Sequence, residues 1–316
     1  MDSISVVDAA REAAQHTRRH LLPVSPLKWL ILGFLAFLDQ CGRSLTGGGA
    51  QGRPGADLGP WQGSHFGRRD IHDVADAVGR ASAWLSDHVL VVTLAVVAGT
   101  LVIAALLALV LWINARGTFM YLDAVASGRA DIARPWHEHA GAAGSYFGWR
   151  YALSLGTFVL FLLLIGIVVA GVLGLVNGRF DVSAGGLTLL ALAPIAMVLL
   201  LAVPLLLLAH VALRDFVAPL QMITGLGCGS AARLLETLVT QHPGAFLVYL
   251  LLKLLLAVVT GIVVLVGGCL TCCIAFLPVV KQTVFQPLYY FERAWPLFLL
   301  RRMGHDLPGR WATPAP

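Results

Sequence analysis

The sequence predicts an all-α protein, a polytopic transmembrane helical bundle with five or six spans and interfacial amphipathic helices. Two observations lead to this class. Of the 316 residues, 58% are hydrophobic and only 12% are charged, whereas a soluble domain carries about 25% charged residues. The charges are also segregated, because residues 89–113, 151–178 and 182–213 contain none. Uncharged apolar runs of about 18 residues or more are typical of membrane-spanning helices.

Five segments are long enough to cross a hydrocarbon core of about 30 Å, since a helix rises about 1.5 Å per residue. Four of them are almost purely apolar, and the fifth contains Lys281, Glu292 and Arg293. The five predicted spans are Val89–Ile113, Tyr151–Val176, Leu187–Leu213, Ala245–Val266 and Ile274–Phe298.

The segment Leu27–Leu38 is shorter than an ordinary span. Its uninterrupted apolar part, Trp29–Leu38, gives only about 15 Å of helix. It either crosses with flanking side chains reaching the interface or lies in the interface as a helix. If it crosses, most Arg and Lys residues outside the spans fall on the side that holds both termini. Because basic residues favour the cytoplasm, both termini are predicted to be cytoplasmic.

The predicted organisation follows from these spans. Two connections, 116–149 and 214–249, resemble each other: each begins with Arg after a span, contains two helices and ends with Gly and an aromatic residue. They predict a two-fold parallel repeat, although any two loops between spans could share these features. The predicted segments are a cytoplasmic N-terminal segment at 1–26, a short span or interfacial helix at 27–38, an extracytoplasmic Gly-rich loop with an amphipathic helix at 39–88, the transmembrane bundle with the repeat at 89–300, and a cytoplasmic tail at 301–316.

Three stretches carry a family resemblance: "WINARGTFMYLDAV" (112–125), "LRDFVAPLQ" (213–221) and "GCLTCCIAFLP" (268–278). They resemble uncharacterised multi-pass bacterial inner-membrane proteins and, more distantly, the membrane domain attached to some glycerophosphodiester phosphodiesterases. The resemblance runs from about Trp112 to Leu300. It implies bacterial origin, location in the inner membrane and a six-helix type of bundle, but no established chemistry. The sequence contains no separate phosphodiesterase catalytic domain, so that activity is not carried over.

A cluster of cysteines lies between the last two predicted spans. Cys269, Cys272 and Cys273 stand within "GGCLTCC", and Cys41 follows the first apolar segment on the same predicted side. We interpret the cluster as a tight turn of small residues, in which glycine permits unusual backbone angles. A disulfide from Cys41 to one of the three is the alternative in an oxidising compartment. A metal or redox site ranks lowest, since no second cysteine pair has matching spacing.

Charged residues within apolar segments are the other candidates, because such residues are costly in hydrocarbon. At the end of one span, His210, Arg214 and Asp215 predict a solvated interfacial ion pair, and Lys253 is expected to extend to the interface. The fifth span carries a polar stripe that lines a cavity or, as we favour, makes hydrogen bonds between helices. Its members are Lys281, Gln282, Gln286, Tyr289, Glu292 and Arg293.

No sequence motif of a known hydrolase, nucleotide-binding loop or metal protease is present. The sequence therefore predicts no catalytic residue, no cofactor and no metal ligand. The predicted function is a structural or accessory role in the membrane without enzymatic activity. The alternative is a carrier or permease for a small amphiphilic or lipid-like substrate. The predicted partners are membrane lipids and a second copy or another membrane protein. Nucleic acid is excluded, because the basic residues flank apolar spans instead of forming a polar basic face.

Overall fold

The structure is a computed structural model, and helices are its only regular elements within the described residues. This confirms the predicted all-α class. The residues described are 5–22, 24–41, 84, 87–176, 182–270, 277 and 279–306.

The helices vary widely in length, from a single turn to more than ten turns. In chain order they are α1 (Val6–Leu21), α2 (Pro26–Gln40), α3 (Val89–Ser127), α4 (Ala133–Glu138), α5 (Ala140–Val176), α6 (Val182–Ala212), a π-helical segment (Leu213–Val217), α7 (Ala218–Thr224), α8 (Cys228–Gln241), α9 (Pro243–Leu270), α10 (Val280–Val284) and α11 (Gln286–Arg302).

Four stretches of helix in the described residues are long and apolar enough to cross a membrane: Val89–Ser127, Ala140–Ile167, Ala193–Thr224 and Pro243–Leu270. Their apolar side chains are largely uncovered by protein; Leu101 and Leu254, for example, are 65% and 66% exposed. An apolar surface this extensive marks contact with lipid or with another apolar surface. The chain therefore has the properties of a membrane protein.

The other two predicted spans form shorter helices. Helix α2 has 15 residues. The segment Ile274–Phe298 contains α10 and α11, which have 5 and 17 residues. A continuous helix is interrupted here because Val279 has a φ of 68°, an unusual value for a β-branched residue. Most of α11 is buried instead of lying open to lipid.

The chain divides into two compact units. Unit 1 comprises residues 1–51, 109–153 and 207–316, and unit 2 comprises residues 52–108 and 154–206. In unit 2, most of the described apolar side chains are exposed. Unit 1 contains a large buried core in which aromatic residues are prominent, including Phe119, Tyr121, Tyr146, Tyr249, Tyr290 and Trp295.

Helix α1 is amphipathic and packs along α11 within unit 1. Its buried residues, Val6, Ala9, Ala13, Thr17 and Leu21, recur every three or four positions and so form one face. Two polar contacts support this packing. The indole Nε1 of Trp295 donates to the carbonyl of Val6 at 3.3 Å, and Arg302 forms an ion pair with Glu12 at 2.5 Å.

Two histidines of α1 lie against the rest of unit 1. The Nε2 atom of His16 lies 2.7 Å from the carbonyl oxygen of Val125, and the rings of His16 and His20 are 4.3 Å apart. Burial lowers the pKa of His16 below its ordinary value, with a smaller contribution from Arg19. Burial also lowers the pKa of His20 to about 4, and His16, Lys28 and Arg19 add to the shift.

These shifts predict that acid weakens the packing of α1. A histidine whose pKa is lower in the folded state than the ordinary 6.5 binds protons more readily when unfolded. Its contribution to stability is complete above pH 6.5 and is lost as the pH falls from 6.5 toward about 4. We expect the protection factors of the α1 amides, which are the intrinsic exchange rates at each pH divided by the measured rates, to fall between pH 7.5 and pH 5. The double variant His16→Gln/His20→Gln serves as the control and should show a smaller fall; an identical pH profile of protection in both proteins would contradict the assignment.

Candidate functional site

Six ionisable side chains meet in the interior of unit 1 and form what we call the ionic cluster. All are at most 9% exposed. Three are acids and three are bases, so the cluster as a whole is neutral. Its members are Asp39, Arg214, Asp215, Lys253, Glu292 and Arg293.

Asp39 joins α2 to two arginines of distant elements. Its Oδ2 lies 2.6 Å from Nη2 of Arg214, and its Oδ1 accepts from Nη2 of Arg293. The end of α2 is held in place by Asn114, whose Nδ2 donates to the carbonyl of Leu38 at 2.8 Å and to that of Asp39 at 2.6 Å. The carboxylate is therefore fixed through both its side chain and its backbone.

Lys253 and Glu292 complete the other half of the cluster. The Nζ atom of Lys253 lies 2.9 Å from Oδ2 of Asp215 and 3.0 Å from Oε1 of Glu292. The same Glu292 oxygen accepts from Nη1 of Arg214 at 3.0 Å. The hydroxyl of Tyr249 donates to Oδ2 of Asp215 at 2.9 Å. Arg214 is thus shared between the two halves, since it contacts both Asp39 and Glu292.

The π-helical segment Leu213–Val217 carries two members of the cluster, and the sequence explains why it forms. Pro219 has no N–H and its ring would clash with the carbonyl four residues earlier, that of Asp215, in a regular α-helix. The backbone N–H of Ala218 instead donates to the carbonyl of Leu213, five residues earlier. Such wider turns are rare and occur frequently at functional sites.

This widening leaves the carbonyl of Arg214 available to the cluster. Ala218 donates elsewhere, and Pro219 has no proton to donate. The carbonyl accepts instead from Nη1 of Arg293 at 2.7 Å. Arg293 therefore holds both the backbone of the π-helical segment and the side chain of Asp39, and so links α11, α2 and the π-helical segment.

The close approach of α2 to α3 depends on Gly117. A Cβ atom at this position would lie 2.7 Å from the carbonyl carbon of Leu38 and 3.0 Å from the backbone nitrogen of Asp39. The first distance is shorter than real Cβ atoms show, and the second is tighter than nearly all of their contacts. The absence of a side chain at Gly117 is thus what permits the end of α2 to lie beside α3 and present Asp39 to the cluster.

The acids and bases of the ionic cluster neutralise one another. Isolated charges in an apolar interior are very costly, whereas charges that are paired and hydrogen-bonded can be retained there. Each carboxylate of the cluster contacts at least one cationic side chain within 3.0 Å. The cluster therefore joins α2, the π-helical segment, α9 and α11 and holds its six charges in place.

The predicted polar stripe divides in the structure. Glu292 and Arg293 belong to the ionic cluster, and Nε2 of Gln286 donates to the hydroxyl of Tyr121 at 3.0 Å. Gln282 and Tyr289 are also buried. Lys281 is partly exposed. Three of the six stripe residues thus make side-chain contacts with other elements.

The predicted cysteine group falls partly outside the described residues. Cys41 and Cys269 have free thiols, and Cys272 and Cys273 lie outside the described residues. A disulfide to either of the latter two remains a prediction. A further thiol, Cys228 at the start of α8, is buried, and this burial raises its pKa to about 11. In the part of the chain that the structure describes, no group of His, Cys, Asp or Glu has the arrangement of a metal site.

Two expectations about charge were wrong. Arg214 and Asp215 are 6% and 1% exposed and are not a solvated pair. Lys253 does not extend to the interface but binds Asp215 and Glu292. Sequence reasoning also missed Asp39. Charged residues within an apolar bundle generally pair with opposite charges. This rule could have indicated that Asp39, at the end of an apolar segment, pairs with one of the buried cations.

The exposed apolar helices and the buried neutral cluster define a class, the helical membrane proteins. Within that class, the chain belongs to a family of unknown function, DUF7544, which matches residues 4–301. No curated protein and no solved structure matches the chain. The more distant resemblance to the membrane domain of glycerophosphodiester phosphodiesterases has no support from these comparisons.

The cluster predicts that removing one charge destabilises unit 1 strongly. Asp39→Asn leaves Arg214 and Arg293 without their shared carboxylate, and loss of one partner from a buried ion pair costs about 3–5 kcal/mol. Thermal unfolding of the purified protein in detergent measures the loss. Asp8→Asn is the matched control, because Asp8 pairs with Arg11 and Arg302 at the surface and should cost about 1 kcal/mol or less. Equal losses in both variants would contradict the cluster's role.

Gly117→Ala is predicted to destabilise the protein although alanine favours helices by about 1 kcal/mol over glycine. The added methyl group must displace the backbone at Leu38 and Asp39. Gly148→Ala is the control, since a Cβ there meets no atom within 4 Å and should be neutral or stabilising. Measured side by side, the unfolding temperature should fall in Gly117→Ala and should stay the same or rise in Gly148→Ala. A stabilised Gly117→Ala variant would refute the close approach of α2 to α3.

Proposed function

We infer that this protein is a multi-pass bacterial inner-membrane protein with a structural or accessory role and no enzymatic activity. The observation that carries this proposal is the ionic cluster. Its acids and bases bind one another and join four elements within unit 1. Charged groups used in this way stabilise a fixed arrangement of helices, and their side chains are not presented to a substrate.

The contact between α1 and α11 supports the proposed topology. Helix α1 begins near the N-terminus and α11 ends near the C-terminus, and Glu12 and Arg302 form an ion pair between them. Helices joined in this way lie on the same side of the membrane at that point. This supports an even number of crossings with both termini on one side, and the bias of basic residues favours the cytoplasmic side.

The exposed apolar surfaces support membrane lipids and a second copy or another membrane protein as partners. Side chains such as Leu101, Leu201 and Leu254 are more than 60% exposed. Lipid or the apolar surface of another membrane protein covers such residues in a membrane. An accessory protein would use part of this surface for its partner and the rest for lipid.

The alternative function, a carrier for a small amphiphile, depends on the polar stripe. Its members Gln286, Glu292 and Arg293 bind other side chains of unit 1, which supports the accessory role more than transport. Lys281 is the stripe residue that best separates the two functions, because it is partly exposed and lies outside the ionic cluster.

A complementation experiment tests the proposal. In a host whose own copy is deleted, Lys281→Met should complement the deletion at a normal protein level if the role is accessory. Asp39→Asn should fail in proportion to its lower protein level, because it disrupts the cluster. Arg233→Gln, which removes an exposed charge on α8, is the matched control for loss of one cation. Loss of complementation by Lys281→Met at an unchanged protein level would favour the carrier and overturn the accessory role.

The topology is tested separately with reporter fusions. Reporters that are active only in the cytoplasm, fused before Ser5 and after Asp306, should both be active. Activity at one terminus alone would mean an odd number of crossings and would contradict the proposed arrangement.

A further inference from the structure

An apolar groove of about 480 Å³ lies between α1, α2 and α11 in unit 1. Its walls include Ala14, Leu21, Leu22, Trp29, Leu288 and Phe291. The groove opens to the surface, because Ala14, Leu22 and Pro287 on its walls are exposed. Its volume lies within the range of about 300–1,000 Å³ that is typical of small-molecule sites.

The polar groups along the groove are already bonded within the protein. The hydroxyl of Thr17 donates to the carbonyl of Ala13 at 2.8 Å, and Nε1 of Trp29 donates to the carbonyl of Leu21 at 3.2 Å. Apart from Arg18 at the edge, the walls therefore offer hydrocarbon contact and no unused side-chain donor. Such a surface suits an apolar chain and disfavours a polar ligand, whose own groups would lose their hydrogen bonds to water.

One end of the groove is basic. Arg18 lies on its edge, and the neighbouring Arg19 is also exposed. Among the described residues, no carboxylate pairs with Arg18. Lys28, at the start of α2, donates to the carbonyl of His20 at 2.8 Å and adds positive charge beside the groove. A ligand with an apolar chain and an anionic head would satisfy both parts of this site.

The residues around this end of the groove are of the kinds found at a membrane interface. Helix α2 exposes an apolar stripe, Leu27, Leu30 and Phe34, on the face away from the buried Leu32, Leu35 and Asp39. Trp29 lies on the groove wall near the start of the helix, and tryptophan is enriched where headgroups meet hydrocarbon. Arginine and lysine at the same level meet the headgroup phosphates of lipids.

We propose that this groove binds one acyl chain of an anionic phospholipid, with the lipid phosphate beside Arg18. The site is distinct from the polar stripe around Lys281. It does not depend on the accessory role, because lipid binding here requires only that unit 1 meets a membrane at this point.

Filling the groove tests the acyl-chain part of the proposal. The full chain, purified in detergent and stripped of lipid, is titrated with phosphatidylglycerol, and bound lipid is counted by native mass spectrometry. Ala14→Trp places a large ring in the groove and should weaken binding of one lipid by about tenfold or more. Gln15→Trp adds the same ring at the next, exposed position outside the groove and should bind like the original protein. Unchanged binding in Ala14→Trp, or equal loss in both variants, would overturn the proposal.

Removing the charge tests the headgroup part. Arg18→Gln should weaken phosphatidylglycerol binding by about fivefold, as expected for one basic residue near an anionic lipid. Arg233→Gln removes the same charge elsewhere in unit 1 and should have no effect. Zwitterionic phosphatidylcholine, in which choline offsets the phosphate charge, should bind more weakly than phosphatidylglycerol and should lose less affinity in Arg18→Gln. Equal affinity for the two lipids, or equal effects of Arg18→Gln and Arg233→Gln, would overturn the assignment of the phosphate to Arg18.

Discussion

The ion pairs of Asp39 with Arg214 and Arg293 are the interaction on which the described part of unit 1 depends. Asp39 is wholly buried, and a buried carboxylate is tolerable only with cations and hydrogen bonds around it. Its position fixes α2 against the π-helical segment and α11. That position in turn requires α3 to provide both a donor, Asn114, and an open space, Gly117. The buried charge of Asp39 therefore restricts which residues fit at four other positions, because all four lie against Asp39. They are Asn114, Gly117, Arg214 and Arg293.

The π-helical segment shows how a local backbone rule serves this distant pairing. Pro219 prevents the usual hydrogen bond to residue 215, and the turn widens. The carbonyl of Arg214 is then without a backbone donor and accepts from Arg293. A buried carbonyl without a partner would be destabilising, so the proline is compatible with the fold only because Arg293 is present. Pro219 and Arg293 lie 74 positions apart in the sequence. The proline leaves the carbonyl of Arg214 without a backbone donor, and the arginine side chain supplies one. A regular helix in place of the π-helical segment would return the carbonyl of Arg214 to Ala218 and would remove this link to α11.

Composition and the lengths of the uncharged apolar stretches were sufficient to predict the long apolar helices. Uncharged stretches such as 89–113 predicted helices that the structure contains, because hydrocarbon imposes length and polarity on each helix separately. The ionic cluster could not be derived in this way, since its pairs are separated by up to 254 positions and depend on which helix faces are adjacent. Glu292 and Arg293 were identified as candidates from their unusual setting, but their partner Asp39 follows a segment whose length fits either a short span or an interfacial helix. Helix α1 was missed for a different reason. Its buried face has only two large apolar side chains, Val6 and Leu21, together with two alanines and Thr17, and this is a weak apolar pattern.

The connections 116–149 and 214–249 both begin with Arg after a predicted span, but the first residues of each contribute to the ionic cluster in different ways. Arg116 and Arg214 each follow a predicted span, but Arg116 lies over the rings of Trp112 and Trp136, at 5.6 and 5.2 Å, and donates to the carbonyl of Trp136. Arg214 binds Asp39 and Glu292. The next residue is Gly117 in the first connection and Asp215 in the second. Gly117 gives the end of α2 room to present its carboxylate, and Asp215 supplies a carboxylate of its own to Lys253. Exchanging these two residue types would both block Asp39 and leave Lys253 with one acid fewer. The positions after the two arginines are therefore not interchangeable, although each arginine directly follows or lies near the end of a predicted span.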